Sequence, residues 1–267
     1  MKRPRGKTQE QASRIVHVAS FGGGVNSVAG VLEEGFEKYA VILFADTGSE
    51  KKETYAYLDY LTKTLGWPIK FIQSKYGNIY DYYYKKKIYP TRFARDCTGK
   101  FKIDPFNKYL RETYGYDAHF IVDIFIDSGE PDRVRTSRYL YATLNYPLVE
   151  KNIDRKQCEL IIKSHNMPVP VKSGCYFCMF TPPSVWRQME RSPQGSNAKE
   201  YYEKSINMER NSIMRAKAKY PLVRLRGKDM SELFECGCYT PNFDTEAGEK
   251  ELEKILQEVD YSQVKRT

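Results

Sequence analysis

The segment VASFGGGVNSVAG, from Val18 to Gly30, sets three consecutive glycines between two apolar stretches. A strand can enter such a turn and a helix can leave it, while the turn itself is kept clear of side chains. The surrounding pattern repeats this alternation. RIVHVASF is rich in β-branched residues and reads as a strand; NSVAGVLEEGF reads as a helix. YAVILFADT is a second strand whose unbroken apolar run fits a sheet covered on both faces. Residues 49–66 predict a helix capped by Ser49, acidic in its first turn and closed by Gly66. PIKFIQSK reads as a third strand, AHFIVDIFIDSG as the strongest strand of the second half, and YPLVEK as a further short one. DRKQCELIIKSHN is a helix started by Asp154. Strand and helix alternating at this spacing imply right-handed crossovers and a mostly parallel, doubly wound α/β sheet.

The character changes after Asn166, where MPVPVKSGCYFCMFTPP is followed by the polar helical stretches SVWRQMERS and AKEYYEKSINMERNSIMRAKAK. A loop-like segment carries ECGC, and EAGEKELEKILQEV reads as a last amphipathic helix. The expected organisation is therefore an α/β domain over residues 14–167 and a helical, cysteine-containing extension over residues 168–267. No apolar run of about 18 residues is present, so no membrane partner is expected. The basic N-terminal segment lacks an apolar core of the secretory kind, so a cytoplasmic location is expected.

A net charge of +9 favours polyanionic partners, nucleic acid among them, and is equally compatible with a merely basic surface. YGNIYDYYYKKKIYP offers aromatic rings beside Lys85, Lys86 and Lys87. Such a stretch suits base stacking next to phosphates, or one packed tyrosine face of an amphipathic helix.

At the mouth of a first strand, main-chain N–H groups and the start of a helix make an anion site, and glycines let a phosphate approach. The spacing is neither GxxxxGK[ST] nor GxGxxG. Asp46, Thr47 and Gly48 close the second strand and bring a second polar, glycine-containing strand end alongside. Cys175 and Cys178 form C-x2-C, and Cys236 and Cys238 form C-x-C. Two such pairs complete an S4 site for Zn2+ or an iron–sulfur cluster; a redox-active thiol pair and ordinary buried cysteines are the other readings. Cys97 lies near Arg95 and Lys100, where positive charge favours a thiolate, making it a candidate nucleophile or ligand. Cys158 and His17 read as core residues, His17 as a hydrogen-bonded one.

Taken together, SFGGGVNS, FADTGSEKKETYAYL, RDCTGKFKIDPFNKYL, DSGEPDRVR and CELIIKSHNMPVPVKSGCYFC resemble the phosphoadenosine phosphosulfate (PAPS) reductase-like branch of the adenine-nucleotide alpha-hydrolase superfamily. That group includes PP-loop ATP pyrophosphatases and sulfurtransferases. The likeness runs over residues 14–178. It implies that Ser20, Gly22, Gly23, Gly24, Asn26 and Ser27 cradle the phosphates or sulfate of ATP or PAPS. Ala45, Asp46, Thr47 and Gly48 would line the adenosine. Arg95, Lys100, Lys102, Arg133 and Arg135 are the implied second anchors, with Glu130 steadying an arginine or binding a metal. Asn26, Ser27, Cys97 and Arg133 are the implied catalytic positions. Two departures stand out: Asn26 replaces the PP-loop aspartate, and Gly22 replaces its leading serine, with Ser20 close by.

Three activities follow from the resemblance. One is ATP-dependent adenylation and sulfur transfer, with Mg2+ offsetting charge, on a nucleic-acid or small-molecule substrate. Another is PAPS reduction, with Cys236 of FECGC attacking sulfur. The third is nucleotide or nucleic-acid binding without turnover. A [4Fe–4S] cluster is the functional choice of metal and Zn2+ the structural one. A sulfur-donor or thiol-reductant protein and a second copy of the chain complete the expected partners.

Overall fold

The computed structural model describes Thr8 and residues 12–90 and 96–219. Five strands, β1 (Arg14–Phe21), β2 (Val41–Asp46), β3 (Ile69–Gln73), β4 (Ala118–Ile124) and β5 (Ala142–Asn145), form one sheet in the order β3-β2-β1-β4-β5. Every pairing in it is parallel, with Val18 opposite Val41 on one side and Val122 on the other. The doubly wound α/β class expected from the alternation is the one found.

Nine α-helical segments accompany the sheet among the described residues: α1 (Val25–Glu34), α2 (Lys52–Asp59), α3 (Ile79–Lys86), α4 (Asp96–Thr98), α5 (Asp104–Tyr114), α6 (Pro147–Glu150), α7 (Arg155–Ser164), α8 (Pro183–Arg191) and α9 (Asn197–Lys219). In α1, buried Val25, Val28, Ala29 and Val31 recur at helical spacing and give the helix one apolar stripe. Its partner across that region is α7, started by Asp154, whose carboxylate accepts the Gln157 N–H at 2.8 Å while Gln157 returns a bond to the Asp154 N–H. The core between sheet and α5 joins Val16, Val18, Leu43, Phe120 and Val122 to Leu110, with Phe106 and Tyr109 at its margin. Each such aliphatic or aromatic side chain contributes about 1.5–3 kcal/mol through burial. Asp123, buried in β4, is satisfied by Lys38 at 2.6 Å, the Tyr39 hydroxyl at 2.8 Å and Asn145 at 2.9 Å. That set of partners is what permits a carboxylate there.

Four local expectations need correction. YPLVEK is not a strand: Pro147–Glu150 is the short helix α6, and the strand lies just before it as β5. Proline at the first helical position is preorganised for a helix, and its missing N–H costs nothing there. Ser49 does not cap the next helix, because α2 begins only at Lys52; its hydroxyl donates to Asn78 Oδ1 at 2.8 Å instead. The helix expected over residues 49–66 is not one unbroken α-helix: after Asp59 the chain passes into a π-helical turn, Tyr60–Thr64, although Gly66, at φ +69°, does close it. His17 Nδ1, finally, is buried without a hydrogen bond.

The chain divides into two compact units. The first holds residues 1–46, 53–75 and 100–173, and so contains the whole sheet. The second holds residues 47–52, 76–99 and 174–267. The chain leaves the first unit for the last time after Ser173. Within the second unit α9 packs on α8 and α3. The tyrosine-rich stretch is indeed helical there and turns rings inward: Tyr83 is buried, and Tyr80 packs on Tyr176 and Phe177 with ring centroids 5.8 Å away in each case. Asn78 caps α3, its Oδ1 accepting the N–H of Tyr80 at 2.8 Å and of Asp81 at 3.2 Å.

Candidate functional site

In the first unit the strand order reverses beside β1: the chain runs outward through β2 and β3, then returns to place β4 on the other flank. Connections leaving β1 and β4 diverge at such a point, and the crevice outside the strand ends is where open parallel sheets hold ligands. The glycine turn sits there. Gly23 has φ +69°, a conformation that excludes ordinary side chains at little cost only for glycine. Gly24 is the N-cap of α1, and its N–H donates to Ser27 Oγ at 3.2 Å. Ser27 Oγ in turn donates to Gly24 O at 2.9 Å, so this hydroxyl stiffens the turn. The first amides of a helix have no acceptor within it, and they carry the positive end of its dipole.

Asn26, the second residue of α1, is held from two sides. Its Nδ2 donates to Asp127 Oδ2 at 2.8 Å, and its Oδ1 accepts from Arg155 NH1 at 3.2 Å. Asp127 follows β4, is only 7% exposed, and accepts the Gly129 N–H at 2.9 Å through its other oxygen. Asp127 and Arg155 were not among the residues singled out from sequence. DSG after a strong strand marked the segment, but nothing local connected either residue to Asn26. Ser20 lies in β1, and Ala45 and Asp46 end β2. Asp46 accepts the Tyr55 hydroxyl at 2.6 Å and the Gln73 amide at 3.0 Å. Lys100 lies in a π-helical turn, Gly99–Ile103, with its carbonyl accepting from Ser74 at 2.7 Å. Arg133 pairs with Glu130, and Arg135 NH1 donates to the carbonyl of Val134 at 2.6 Å; both arginines are thus held within their own loop.

The second unit takes Thr47, Gly48, Cys97, Cys175 and Cys178. Thr47 is fully buried; its hydroxyl donates to Glu50 Oε1 at 3.0 Å and lies 3.3 Å from Cys175 Sγ. The Cys175 thiol also donates to Glu50 at 3.8 Å, and the Cys178 N–H donates to Cys175 O at 3.0 Å, closing a turn. Gly48 has φ +71°, and its carbonyl accepts from the Asn78 amide. Cys97 is half-buried in α4, next to Asp96, which accepts the Tyr83 hydroxyl at 2.6 Å. Cys236, Cys238 and Arg95 lie outside the described residues. Among those described, no three His, Cys, Asp or Glu side chains converge to hold a metal ion. Cys158 is fully buried in α7, and burial first, then nearby Asp127, pushes its thiol up to about 12. That makes it an inert core thiol, as read from sequence.

The model of the phosphoadenosine phosphosulfate reductase domain family matches residues 16–121. Over those residues the chain is similar to a PAPS reductase domain. The resemblance read from the motifs is thereby borne out, and enzyme activity of this family's kind is the assignment the match supports. Its span takes in most of β1, the glycine turn, all of β2 and β3, and the first half of β4. Among solved structures, the chain is similar to the PAPS reductase of Candida auris, crystallised as a phosphate complex. The two are 14% identical, with 58% of this chain and 74% of that one covered and a TM-score of 0.44. No curated protein matches the chain. Among the described residues no helix is long and apolar enough to cross a membrane.

Proposed function

We propose that the PAPS reductase-like domain is a nucleotide-binding enzyme acting on the phosphate or sulfate chain of an adenine nucleotide, with that chain seated on the β1–α1 turn. The observation that carries this reading is the turn itself: Gly23 at positive φ, Gly24 at the N-cap and Ser27 bracing Gly24 through both its N–H and its carbonyl, inside the matched span. Backbone N–H groups fixed in this way bind developing negative charge without reorganising, the usual basis of catalysis on phosphate and sulfate esters. The base and ribose lie toward Ala45 and Asp46 in this reading.

PAPS is the substrate that the family match favours. In that reaction Cys236 attacks the sulfur, the bond from sulfur to the nucleotide's phosphate oxygen breaks, and adenosine 3′,5′-bisphosphate leaves. A thiolate of the reductant partner then attacks the Cys236 sulfur of the resulting S-sulfonate, the S–S bond to the sulfonate breaks, sulfite leaves, and the cysteine ends in a mixed disulfide with the partner. ATP-dependent adenylation and sulfur transfer is the second reading, favoured by the GGGVNS spacing of the turn. Both oxygens of Asp127, the carboxylate beside Asn26, already accept hydrogen bonds, which makes it a poor ligand for Mg2+.

Calorimetry of the full chain with PAPS and ATP tests the shared claim. Sulfite release from PAPS in the presence of a dithiol, and pyrophosphate release from ATP, then separate the two reactions. Binding of neither nucleotide overturns the proposal.

A further inference from the structure

Asn26 stands where the PP-loop pattern carries an aspartate, and by sequence it reads as a lost charge. The structure puts a carboxylate beside it. Asp127 Oδ2 lies 2.8 Å from Asn26 Nδ2, and Asp127 is 7% exposed. An ionised carboxylate only accepts, so it fixes which end of the amide faces it: Nδ2 points to Asp127 and Oδ1 points away. What Oδ1 meets is Arg155 NH1, at 3.2 Å. An aspartate at position 26 would set a second carboxylate against Asp127 and would take Arg155 as an ion pair.

Arg155 is an odd choice for its own helix. As the first residue of α7 it adds positive charge at the positive end of the helix dipole. Its Nε faces Glu159 at 3.6 Å, yet 46% of its side chain remains exposed. The guanidinium has five donors in a planar fork suited to phosphate and sulfate oxygens. The Asn26 bond brings it to the start of α1, where the glycine turn ends.

Resting on the nucleotide-binding reading above, we propose that Arg155 is a further anion-binding residue of the β1–α1 turn, contacting the nucleotide's phosphate or sulfate oxygens. Asn26 and Asp127 are its positioning residues: Asp127 orients the Asn26 amide, and the neutral amide aims the guanidinium without neutralising it. An arriving anion meets the positive end of α1 together with Arg155.

The test is calorimetry on the full chain with PAPS, ATP and uncharged adenosine. Arg155→Ala is expected to weaken both PAPS and ATP about ten- to hundredfold, the range for a charge-assisted hydrogen bond, and to leave adenosine unchanged. Arg155→Lys should recover part of the loss, and the salt dependence of PAPS binding should flatten in Arg155→Ala. Asp127→Asn should weaken PAPS less than Arg155→Ala does. The double variant Asp127→Asn/Arg155→Ala should be no worse than Arg155→Ala alone, because both act through one contact. If wild type binds PAPS or ATP and Arg155→Ala binds equally well, or loses adenosine in parallel, the inference is overturned. Additive losses in the double variant overturn the positioning role. Wild type that binds no nucleotide instead sinks the function proposed above, a distinct outcome.

Discussion

Gly23 and Glu200 show how single residues carry measurable consequences. Gly23 has φ +69°, and a Cβ placed there would also touch Leu58 and Thr54 at 3.4 Å. An alanine must either hold a left-handed conformation, at about 1–2 kcal/mol, or distort the turn. Urea denaturation of Gly23→Ala should show that loss, and calorimetry should show weaker PAPS binding; unchanged values in both would refute the role given to this turn. Glu200, in α9, is held by hydrogen bonds from Lys204 and Lys52, each at 2.7 Å, which lower its carboxyl from 4.5 to about 2. Because the folded value is the lower one, the stabilisation is fully present above pH 4.5 and is lost as pH falls toward 2. Thermal melts of wild type and Glu200→Gln should differ at pH 6 and converge near pH 2. A gap that stays constant over that range would contradict the ion-pair account.

Elements differ in how much of themselves they announce. The strands β1, β2 and β4 are legible because long apolar runs ending in polar or glycine residues leave little else for the chain to form. β5 escaped notice because four residues, ATLN, are too few to show an alternation. PLVE looked like strand because an apolar tripeptide does not distinguish strand from helix; only the proline at its head carried the better clue. Ser49 has the right chemistry for a cap, but the helix begins only at Lys52, three residues on, so its oxygen has no N–H of the first turn to accept. The helix α1 depends on a contact that its sequence does not reveal. A Cβ on Gly30 would lie 2.0 Å from the Phe125 ring, so the glycine lets the segment after β4 approach the helix closely. Alanine is the better helix former by about 1 kcal/mol, yet Gly30→Ala should destabilise by about 1–3 kcal/mol through overpacking. Equilibrium denaturation giving a more stable Gly30→Ala variant would show that Phe125 yields at no cost.

At the scale of the whole molecule, a nucleotide that binds only the folded chain must raise its stability by mass action. PAPS at a hundred times its Kd should add about 2.7 kcal/mol to the unfolding free energy, with the melting temperature rising further as concentration increases. A melting temperature indifferent to PAPS and ATP alike would leave the turn without its ligand. The net charge of +9 predicts in addition that anionic ligands bind more weakly as salt rises. The sequence alone determined the class of fold, the position of the glycine turn and the chemistry that turn invites. These are local properties, written in apolar periodicity and in backbone conformations open to glycine. It could not determine that β4 lies beside β1, because pairing between parallel strands is made across long connections and leaves no mark on nearby residues. That adjacency, decided only by the tertiary structure, brings Asp127 within a hydrogen bond of Asn26, 101 residues away. A substitution that looks like a missing charge in one dimension is thus a displaced one in three.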